Sequence, residues 1–369
     1  MKVALCLYKY FPYGGLQRDF LRIANELVAR GHQVRVYVES WQGEKPQNME
    51  IIQVPVKALS NHRKAQKFHA WVMEHLHKNP VDRLVGFNKM PDLDVYYGAD
   101  ICYEEKARTE KGFFYRLTPR YHHLYNFEAQ TVGRGLKTKL MIITPKQKVE
   151  FQKHYQTEDN RFYLLPPGIA KDRKYTNFSD AKRQVLREQL ELTSEDFLII
   201  QIGSDFKRKG LDRSIAALAS LPKDIRAHAK LYVLGQDKPQ AYEQQAQQAG
   251  VGEQVHILGG RDDVADFIAA ADLFVHPARS ENTGTVILEA MVGGVPQIVT
   301  EVCGYAHYVK EADSGLVLDS PYNQEQFNEF LLQALDKSLL SKWRDNACRF
   351  ADTEDLYSLP QKAADIILE

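Results

Sequence analysis

The sequence is poor in the features that mark several classes of protein. It has four cysteines in 369 residues. They are scattered and form neither a disulfide nor a metal-binding pattern, so we expect a reducing, cytoplasmic environment. No apolar run approaches the roughly 18 residues needed to span a bilayer. The apolar start of the chain is too short for a signal-peptide core, because Lys9 soon follows it.

The sequence also lacks a convincing metal site and a recognised nucleic-acid module. Its 12 histidines include no H-x-x-x-H pattern. Asp92 and Asp94 form a D-x-D pattern, but no further ligand accompanies them. We therefore expect no metal, no bound cofactor and no nucleic-acid partner.

The net charge of zero conceals a division between the two halves of the chain. Residues 1–167 contain 26 Lys and Arg against 17 Asp and Glu, whereas residues 168–369 contain 22 against 31. A basic first half indicates an anionic partner, for which a nucleic acid and an anionic membrane both qualify.

Short apolar runs alternate with amphipathic stretches along the whole chain. In the first half these predicted strands span residues 3–7, 33–38, 51–54, 84–87 and 140–143, and in the second half 197–202, 230–234, 255–258, 273–275 and 295–300. Such alternation predicts an α/β fold with two Rossmann-like domains, whose parallel sheets face a cleft. We place the domains at 1–167 and 168–345, followed by a C-terminal helix at 346–369 that crosses back to the first domain.

Residues 280–289 combine two glutamates with a predicted strand-turn-helix. Glu281 follows the apolar run 272–277, so we expect it at the carboxyl end of a parallel strand, where open α/β sheets bind their ligands. Glu289 should lie about two turns into the next helix. The free amides between them, beside Gly284, would suit a phosphate group.

Two further strand ends carry residues suited to a phosphorylated ligand. Residues 203–210 follow a predicted strand and cluster cations before a glycine, with Arg208 and Lys209 at their end. Gly14 and Gly15 follow the first strand and allow close approach of backbone to a ligand. Asp19 is either within reach of that ligand or an acid that the dipole of the helix favours.

Four blocks of this sequence together resemble the retaining glycosyltransferases of the GT-B fold, in particular glycosyltransferase family 4. The blocks are residues 259–264, 270–272, 281–289 and 293–296, in the family's order and spacing. The resemblance implies a nucleotide-sugar donor and no metal. It assigns the donor diphosphate to Gly14, Gly15, Arg208, Lys209, Gly284 and Thr285, the sugar to Glu281, Asn282 and Thr283, and the ribose to Glu289.

The sequence departs from the family pattern at Ser204, where many members carry arginine. Arg173 could supply the missing charge on the diphosphate. The resemblance also suggests Asp100, at a predicted strand end, as a polar residue that faces the reacting carbon. Together with Asp19 and Glu281 it completes the set of expected catalytic residues.

Residues 106–127 interleave aromatic and basic side chains, and a second basic run lies at residues 61–67. Such a segment can lie in a lipid headgroup layer, stack on single-stranded nucleic acid, or pack into its own domain. We expect a membrane or acceptor face composed of Arg63, Lys64, Lys111, Phe113, Phe114, Tyr115, Arg116, Arg120 and Tyr121.

Longer blocks resemble the glucosyltransferases of the bacterial lipopolysaccharide core. They are residues 7–12, 14–19, 85–91, 302–308 and 355–360. This resemblance implies transfer of glucose from UDP-glucose to an inner-core heptose, at the cytoplasmic face of the inner membrane. Asn282, Thr283 and Thr285 are bulkier than the residues expected beside the sugar, so a UDP-N-acetylhexosamine donor stays open. A nucleotide-sugar epimerase and a catalytically silent membrane-docking protein also fit this fold.

Overall fold

The computed structural model describes residues 1–12, 14–177 and 180–369 and divides into two α/β units. The first unit comprises Met1–Gly168 with Tyr357–Glu369, and the second comprises Ile169–Leu356. Each unit contains a sheet whose paired strands run parallel, which confirms the predicted fold class.

The first unit has, within its described residues, a seven-stranded sheet with the strand order β5-β3-β1-β6-β7-β8-β9. In chain order its elements are β1 (Lys2–Cys6), β2 (Lys9–Tyr10), α1 (Gly15–Ala29), β3 (Gln33–Val38), β4 (Ser40–Trp41), β5 (Glu50–Gln53), α2 (Asn61–Lys78), β6 (Arg83–Gly86), β7 (Val95–Gly98), α3 (Tyr103–Glu110), α4 (Pro119–Val132), β8 (Lys139–Ile142), α5 (Pro145–Tyr155) and β9 (Phe162–Leu164). Because the order reverses between β1 and β6, the carboxyl ends of these two strands border a crevice.

The central strand β1 is buried on both faces, as parallel strands covered by helices require. Val3 and Leu5 enter one apolar core, and Ala4 and Cys6 enter the core on the opposite face, because side chains alternate along a strand.

The second unit has, over the part of it that is described, a six-stranded sheet with the order β12-β11-β10-β13-β14-β15. In chain order its elements are α6 (Asp180–Gln189), β10 (Phe197–Ile202), α7 (Phe206–Lys209), α8 (Leu211–Ser220), α9 (Lys223–His228), β11 (Ala229–Leu234), α10 (Gln240–Gln248), β12 (Val255–Ile257), α11 (Val264–Ala270), β13 (Leu273–His276), α12 (Thr285–Val292), β14 (Gln297–Thr300), α13 (Ala306–Ala312), β15 (Gly315–Leu318), α14 (Gln324–Gln333) and α15 (Lys337–Thr353). The strand order reverses between β10 and β13, which places a second crevice there.

The last helix, α16 (Leu359–Leu368), belongs to the first unit. Ala363 and Ile367 join the same apolar core as Phe20 of α1, and Arg30 at the end of α1 pairs with Asp365 at 2.6 Å. The chain therefore returns to the first unit after Leu356.

The division expected at residue 346 falls inside α15 instead of between elements. Asn346 donates a hydrogen bond to the Asp313 carbonyl at 2.8 Å, and both residues lie in the second unit. The segment that joins the first unit begins only at Tyr357.

A buried ion pair fixes the part of the first unit that follows β7. Glu128 of α4 is fully buried and contacts the ammonium of Lys89. Its carboxylate also accepts hydrogen bonds from the backbone amides of Tyr103 and Glu104 at 2.7 and 3.0 Å, and so satisfies two of the free amides at the start of α3. Lys89 donates a further hydrogen bond to the Ile101 carbonyl at 2.9 Å.

Each member of this pair stabilises the ionised form of the other. Burial lowers the pKa of Lys89, but the charge of Glu128 and its hydrogen bond, together with the charges of Tyr96 and Asp100, outweigh burial, and the pKa is raised. Burial raises the pKa of Glu128, but Lys89 and the amide donors lower it by more. The pKa is therefore below its usual value, and the carboxyl is ionised.

We expect Glu128→Gln to lower the free energy of unfolding by about 3–5 kcal/mol, because it leaves Lys89 charged and buried without its counter-ion. Urea denaturation followed by circular dichroism measures this change. Glu74→Gln is the matched control, since Glu74 pairs with Lys78 on the surface of α2, where both side chains are more than half exposed. Equal stability of the two variants would contradict the prediction.

Candidate functional site

The carboxyl ends of β10 and β13 carry the charged residues that the sequence predicts for ligand binding. After β10 the chain turns into the short helix α7, which ends with Arg208 and Lys209. β13 ends at His276, and the loop that follows it carries Glu281. The two strands are hydrogen-bonded neighbours at the reversal of strand order, so the topology brings these segments together.

Glu281 contacts both cations through one carboxylate oxygen. Its Oε2 lies 3.0 Å from Nη1 of Arg208 and in direct contact with Nζ of Lys209. Arg208 also pairs through Nε with Asp205 at 3.0 Å and donates to the Ser280 carbonyl at 3.2 Å. The side chains of Lys209 and Glu281 are only 10% and 14% exposed, whereas Arg208 and Asp205 are 39% and 55% exposed, so this ion-pair network extends from a largely covered pair to the surface.

The contacts between opposite charges keep Glu281 and Arg208 ionised in spite of burial. Burial raises the pKa of the Glu281 carboxyl, but His276, Lys209 and Arg208 outweigh burial and hold the pKa well below its usual value. Burial lowers the pKa of the Arg208 guanidinium, and the charges of Glu281 and Asp205 more than offset it, so that this pKa is raised.

His276 is a member of the site that the sequence analysis did not identify. Its imidazole is fully buried, which lowers its pKa to about 4 and leaves it neutral near pH 7. Its Nε2 lies 3.7 Å from Oε2 of Glu281, beyond hydrogen-bond distance, so it acts on the carboxylate as a neighbouring dipole. A polar residue at the end of the otherwise apolar strand Leu273–His276 was the available signal.

The loop before α12 holds the residues expected at the sugar. Gly284 has φ +79° and caps the start of α12, and Asn282 and Thr283 precede it. The hydroxyls of Thr283 and Thr285 lie 3.5 Å apart. Glu289 is the fifth residue of α12 and 9% exposed, so it lies just over one turn into the helix, not two, because α12 begins only at Thr285.

Arg173 lies in a 3₁₀ turn (Lys171–Arg173) of the second unit, away from both strand ends in sequence. Its Nη1 is buried and, among the residues described, has no hydrogen-bond partner. Within that same part of the chain, no ion pair joins it to Glu281. Its role at the diphosphate stays a prediction.

The remaining predicted site residues lie in the first unit. Gly14 and Gly15 form the start of α1. Asp19, one turn into that helix, accepts a hydrogen bond at 2.7 Å from the hydroxyl of the buried Tyr97. Asp100 follows β7 and is exposed, and its backbone carbonyl is held by the side chain of Gln147 at 2.9 Å.

The aromatic and basic segment forms α3, a 3₁₀ turn (Phe113–Leu117) and the first turns of α4. Phe113, Phe114 and Leu117 are 66%, 79% and 64% exposed, which is unusual for large apolar side chains. The guanidinium of Arg116 lies 5.1 Å from the centre of the Phe113 ring. Lys111 is exposed just before this turn. No helix in the described ranges is both long and apolar enough to cross a bilayer.

The structure corrects the prediction for Tyr121, which does not lie on this exposed face. Its ring is 8% exposed, and its hydroxyl donates to Glu104 at 2.7 Å. Tyr115 is half-buried with its hydroxyl 2.8 Å from that of Tyr103. These two rings pack towards their own domain. Such packing is one of the three arrangements that the sequence left open for residues 106–127.

The basic residues expected on the same face lie on two helices. Arg63 and Lys64 belong to the first turn of α2, where Arg63 is exposed and Lys64 is half-buried. Arg120 is exposed in the first turn of α4.

We expect Gly210→Ala to destabilise the second unit more than Gly250→Ala. Both glycines have a left-handed conformation, with φ +73° and +71°, so each substitution costs about 1–2 kcal/mol of backbone strain. At Gly210 the added Cβ would also lie 2.1 Å from the Pro277 carbonyl oxygen, whereas at Gly250 it would meet no atom within 4 Å. Thermal unfolding of both variants measures the difference, and equal melting temperatures would contradict the close approach of α7 to the end of β13.

Comparison with known proteins places this arrangement in a family. The family of glycosyl transferases group 1 matches residues 182–350. The lipopolysaccharide glucosyltransferase WaaG of Escherichia coli K12 is 55% identical over 368 residues, which cover 100% of this chain and 98% of that protein.

Solved structures agree with the sequence comparison. The crystal structure of WaaG, a glycosyltransferase involved in lipopolysaccharide biosynthesis, superposes with a TM-score of 0.93 over 99% of each chain, at 55% identity. Anabaena HepE, crystallised with UDP and glucose, superposes with a TM-score of 0.75 over 99% of this chain and 98% of its own; at 19% identity it shows the shared fold alone. The chain therefore belongs to the family of lipopolysaccharide glucosyltransferases represented by WaaG, and it is a GT-B glycosyltransferase of lipopolysaccharide core synthesis.

Proposed function

We propose that the protein transfers glucose from UDP-glucose to a heptose of the lipopolysaccharide inner core, with retention of configuration at the anomeric carbon. The observation that carries the proposal is the contact of Glu281 with Arg208 and Lys209 at the strand reversal of the second unit. The similarity to WaaG over the whole chain supports the same substrate class.

The cations are suited to the leaving group. As the bond between the sugar and the diphosphate breaks, the diphosphate gains negative charge, and cations already in place stabilise that charge without reorganisation. Lys209 is nearly buried, so its charge is only weakly screened by water. We assign Arg208 and Lys209 to the diphosphate, with Gly14, Gly15, Arg173, Gly284 and Thr285 as further candidates.

The carboxylates are suited to the hydroxyls of the donor. An ionised carboxylate accepts hydrogen bonds only, and sugar and ribose hydroxyls donate them. We assign Glu281, Asn282 and Thr283 to the sugar and Glu289 to the ribose. Asp19 and Asp100 in the first unit remain candidates for contact with sugar or acceptor.

Retention does not require Glu281 to act as a nucleophile. Its carboxylate is held by two cations, and its lowered pKa makes it a weak base. In the proposed mechanism the oxygen of the departing diphosphate takes the proton of the acceptor hydroxyl, which attacks from the same face of the sugar. The bond from C1 to the diphosphate breaks as the bond from C1 to the acceptor oxygen forms.

We further propose that the protein binds peripherally to the cytoplasmic face of the inner membrane. Phe113, Phe114 and Leu117 present exposed apolar side chains, and Lys111 and Arg116 lie beside them. Apolar rings flanked by cations suit the interface of an anionic bilayer, where the lipid-linked acceptor would be found.

We expect Lys209→Ala to lower kcat by more than about tenfold, because it removes a charge that stabilises the leaving diphosphate. Lys207→Ala is the matched control, since Lys207 is an exposed cation of the same short helix. Turnover with UDP-glucose and a truncated lipopolysaccharide measures both. Unchanged turnover of Lys209→Ala would remove Lys209 from the mechanism.

The function itself is tested by incubating the protein with a panel of nucleotide sugars and truncated lipopolysaccharide, and by measuring the product mass. We expect one hexose to be added from UDP-glucose, in the anomeric configuration of the donor by NMR. Addition of an N-acetylhexosamine would identify that sugar as the donor group, and an inverted linkage would refute retention.

Glu281→Ala separates a sugar transferase from an epimerase and from a catalytically silent membrane-docking protein. We expect this variant to lose sugar transfer while it still binds anionic vesicles. A variant that transfers sugar as well as the wild type would refute the role of Glu281. Interconversion of the nucleotide sugar without any acceptor would indicate an epimerase.

We expect Lys111→Glu with Arg116→Glu to weaken binding to phosphatidylglycerol vesicles by at least about tenfold, since each basic residue near an anionic surface is worth about 1 kcal/mol. Co-sedimentation measures the bound fraction. The control, Lys223→Glu with Lys238→Glu, changes the same charge on exposed residues of the second unit. Equal binding of both variants would refute the proposed membrane face.

A further inference from the structure

The loop between β13 and α12 carries Glu281, and its start is held by an arginine of α8. Arg213 donates hydrogen bonds through Nη1 to the carbonyls of Pro277 and Ala278, at 3.0 and 3.3 Å. Its guanidinium lies 3.6 Å from the centre of the Tyr322 ring, and a cation over an aromatic face is attracted to it. The loop therefore leaves the strand in a fixed direction.

The end of the same loop is fixed as well. The backbone amide of Tyr305 donates a hydrogen bond to the Thr283 carbonyl at 2.8 Å, and α12 begins two residues later. Residues 279–282 lie between these two fixed points and include Glu281. The contacts that hold this short segment therefore determine where the carboxylate of Glu281 lies.

Arg279 joins the middle of the loop to the end of α7. Its backbone amide donates to the Arg208 carbonyl at 2.8 Å, and its Nη1 donates to the Lys207 carbonyl, also at 2.8 Å. Carbonyls at the end of a helix have acceptor capacity that the helix itself leaves unused, so they are open to donors of this kind. Arg279 thus attaches the loop to the helix that carries Arg208 and Lys209, two residues before Glu281.

A carboxylate of the next helix fixes the guanidinium of Arg279. Asp212, in the first turn of α8, accepts two parallel hydrogen bonds from Nη1 and Nη2 of Arg279, both at 2.7 Å. Burial raises the pKa of the Asp212 carboxyl, but the hydrogen bond and the charge of Arg279 help to hold it below its usual value, so Asp212 is ionised near pH 7. Both side chains are partly exposed, so the pair contributes more to geometry than to stability.

Three segments thus meet at the guanidinium of Arg279, namely the loop after β13, the end of α7 and the start of α8. Glu281 itself contacts Arg208 and Lys209. Arg279 acts on that cluster through the backbones on which its members lie. Because a displacement of about 1 Å at a catalytic group can cost on the order of 100-fold in rate, a residue that fixes these backbones affects the reaction without touching the substrate.

We propose that Arg279 is a positioning residue for sugar transfer, which holds the loop against α7 and so keeps the Glu281 carboxylate within reach of both cations and the donor sugar. The inference rests on the proposed function, since it deepens the role given there to Glu281. In this proposal Arg279 contacts no reacting atom. Its loss should leave the cations of α7 in place but release the carboxylate from its position.

Isothermal titration calorimetry on the full chain, with UDP and with UDP-glucose and without acceptor, tests the positioning. UDP has no sugar, so we expect Arg279→Ala to bind it as the wild type does. UDP-glucose should bind about tenfold more weakly, because a hydrogen bond from the sugar to a charged group is lost. In the transfer assay kcat should fall by at least about tenfold.

A double-mutant cycle with Glu281→Ala separates positioning from a general structural role. If Arg279 acts through Glu281, then Arg279→Ala should cause no further loss of UDP-glucose affinity in a Glu281→Ala background. A residue that merely supports the fold would lower the affinity by the same factor in either background. Should Arg279→Ala not fold, Asp212→Asn repeats the cycle, since it removes the charge that fixes the guanidinium.

Two further variants serve as controls. Arg226→Ala removes another arginine of the second unit that donates to a carbonyl, that of Ala219 at 2.9 Å, and it should bind UDP-glucose and transfer sugar as the wild type does. Arg279→Lys keeps the charge but lacks the planar fork that engages a carboxylate and a carbonyl together, so it should recover only part of the lost affinity. Thermal unfolding shows whether each variant is folded.

Four results would overturn the proposal. They are wild-type affinity for UDP-glucose in folded Arg279→Ala, a parallel loss of UDP affinity, an equal loss in the Glu281→Ala background, and full recovery by Arg279→Lys. If the wild type bound UDP-glucose but transferred no sugar, the proposed function would fail, and the calorimetric cycle would still decide whether Arg279 positions Glu281. A wild type that bound no nucleotide sugar would contradict both.

Discussion

The proposed chemistry depends on one interaction, the contact of the partly buried Glu281 carboxylate with two cations in the loop after β13. Without Glu281, the charges of Lys209 and Arg208 would lie close together without the carboxylate that they share, and that of Lys209 would also be poorly hydrated, which is unfavourable. Glu281 therefore compensates the charges of both cations before any donor arrives. The same cations can then stabilise charge on the leaving diphosphate with little reorganisation. The carboxylate can accept hydrogen bonds from the hydroxyls of the sugar.

Each unit reverses its strand order beside its first strand, and each reversal borders a crevice. In the second unit the reversal between β10 and β13 brings Glu281 into contact with Arg208 and Lys209. We propose this network as the site of the donor diphosphate, because paired charges suit a group whose charge changes during the reaction. In the first unit the reversal between β1 and β6 borders a cavity that is lined by cations, Lys64 and Arg120 among them.

Sequence reasoning was most successful where local pattern determines structure. The bounds of β3 and β10 were predicted as the structure has them, because apolar runs define them. The edge strands β9 and β15 are short and were not predicted. Family blocks indicated Glu281 and the cations, but the pairing of residues 72 positions apart depends on strand order, which the sequence does not encode locally. Likewise, no periodicity distinguishes the inward ring of Tyr121 from the exposed rings of Phe113 and Phe114.

The affinity of Glu281→Gln for UDP tests the central interaction most directly. UDP has the diphosphate but no sugar, so it engages the cations and offers nothing for Glu281 to hold. The account predicts that calorimetry will show UDP bound by Glu281→Gln at least as tightly as by the wild type, because the carboxylate no longer competes for Lys209 and Arg208, while transfer of sugar falls. Loss of UDP binding in the folded variant, or transfer at the wild-type rate, would contradict it.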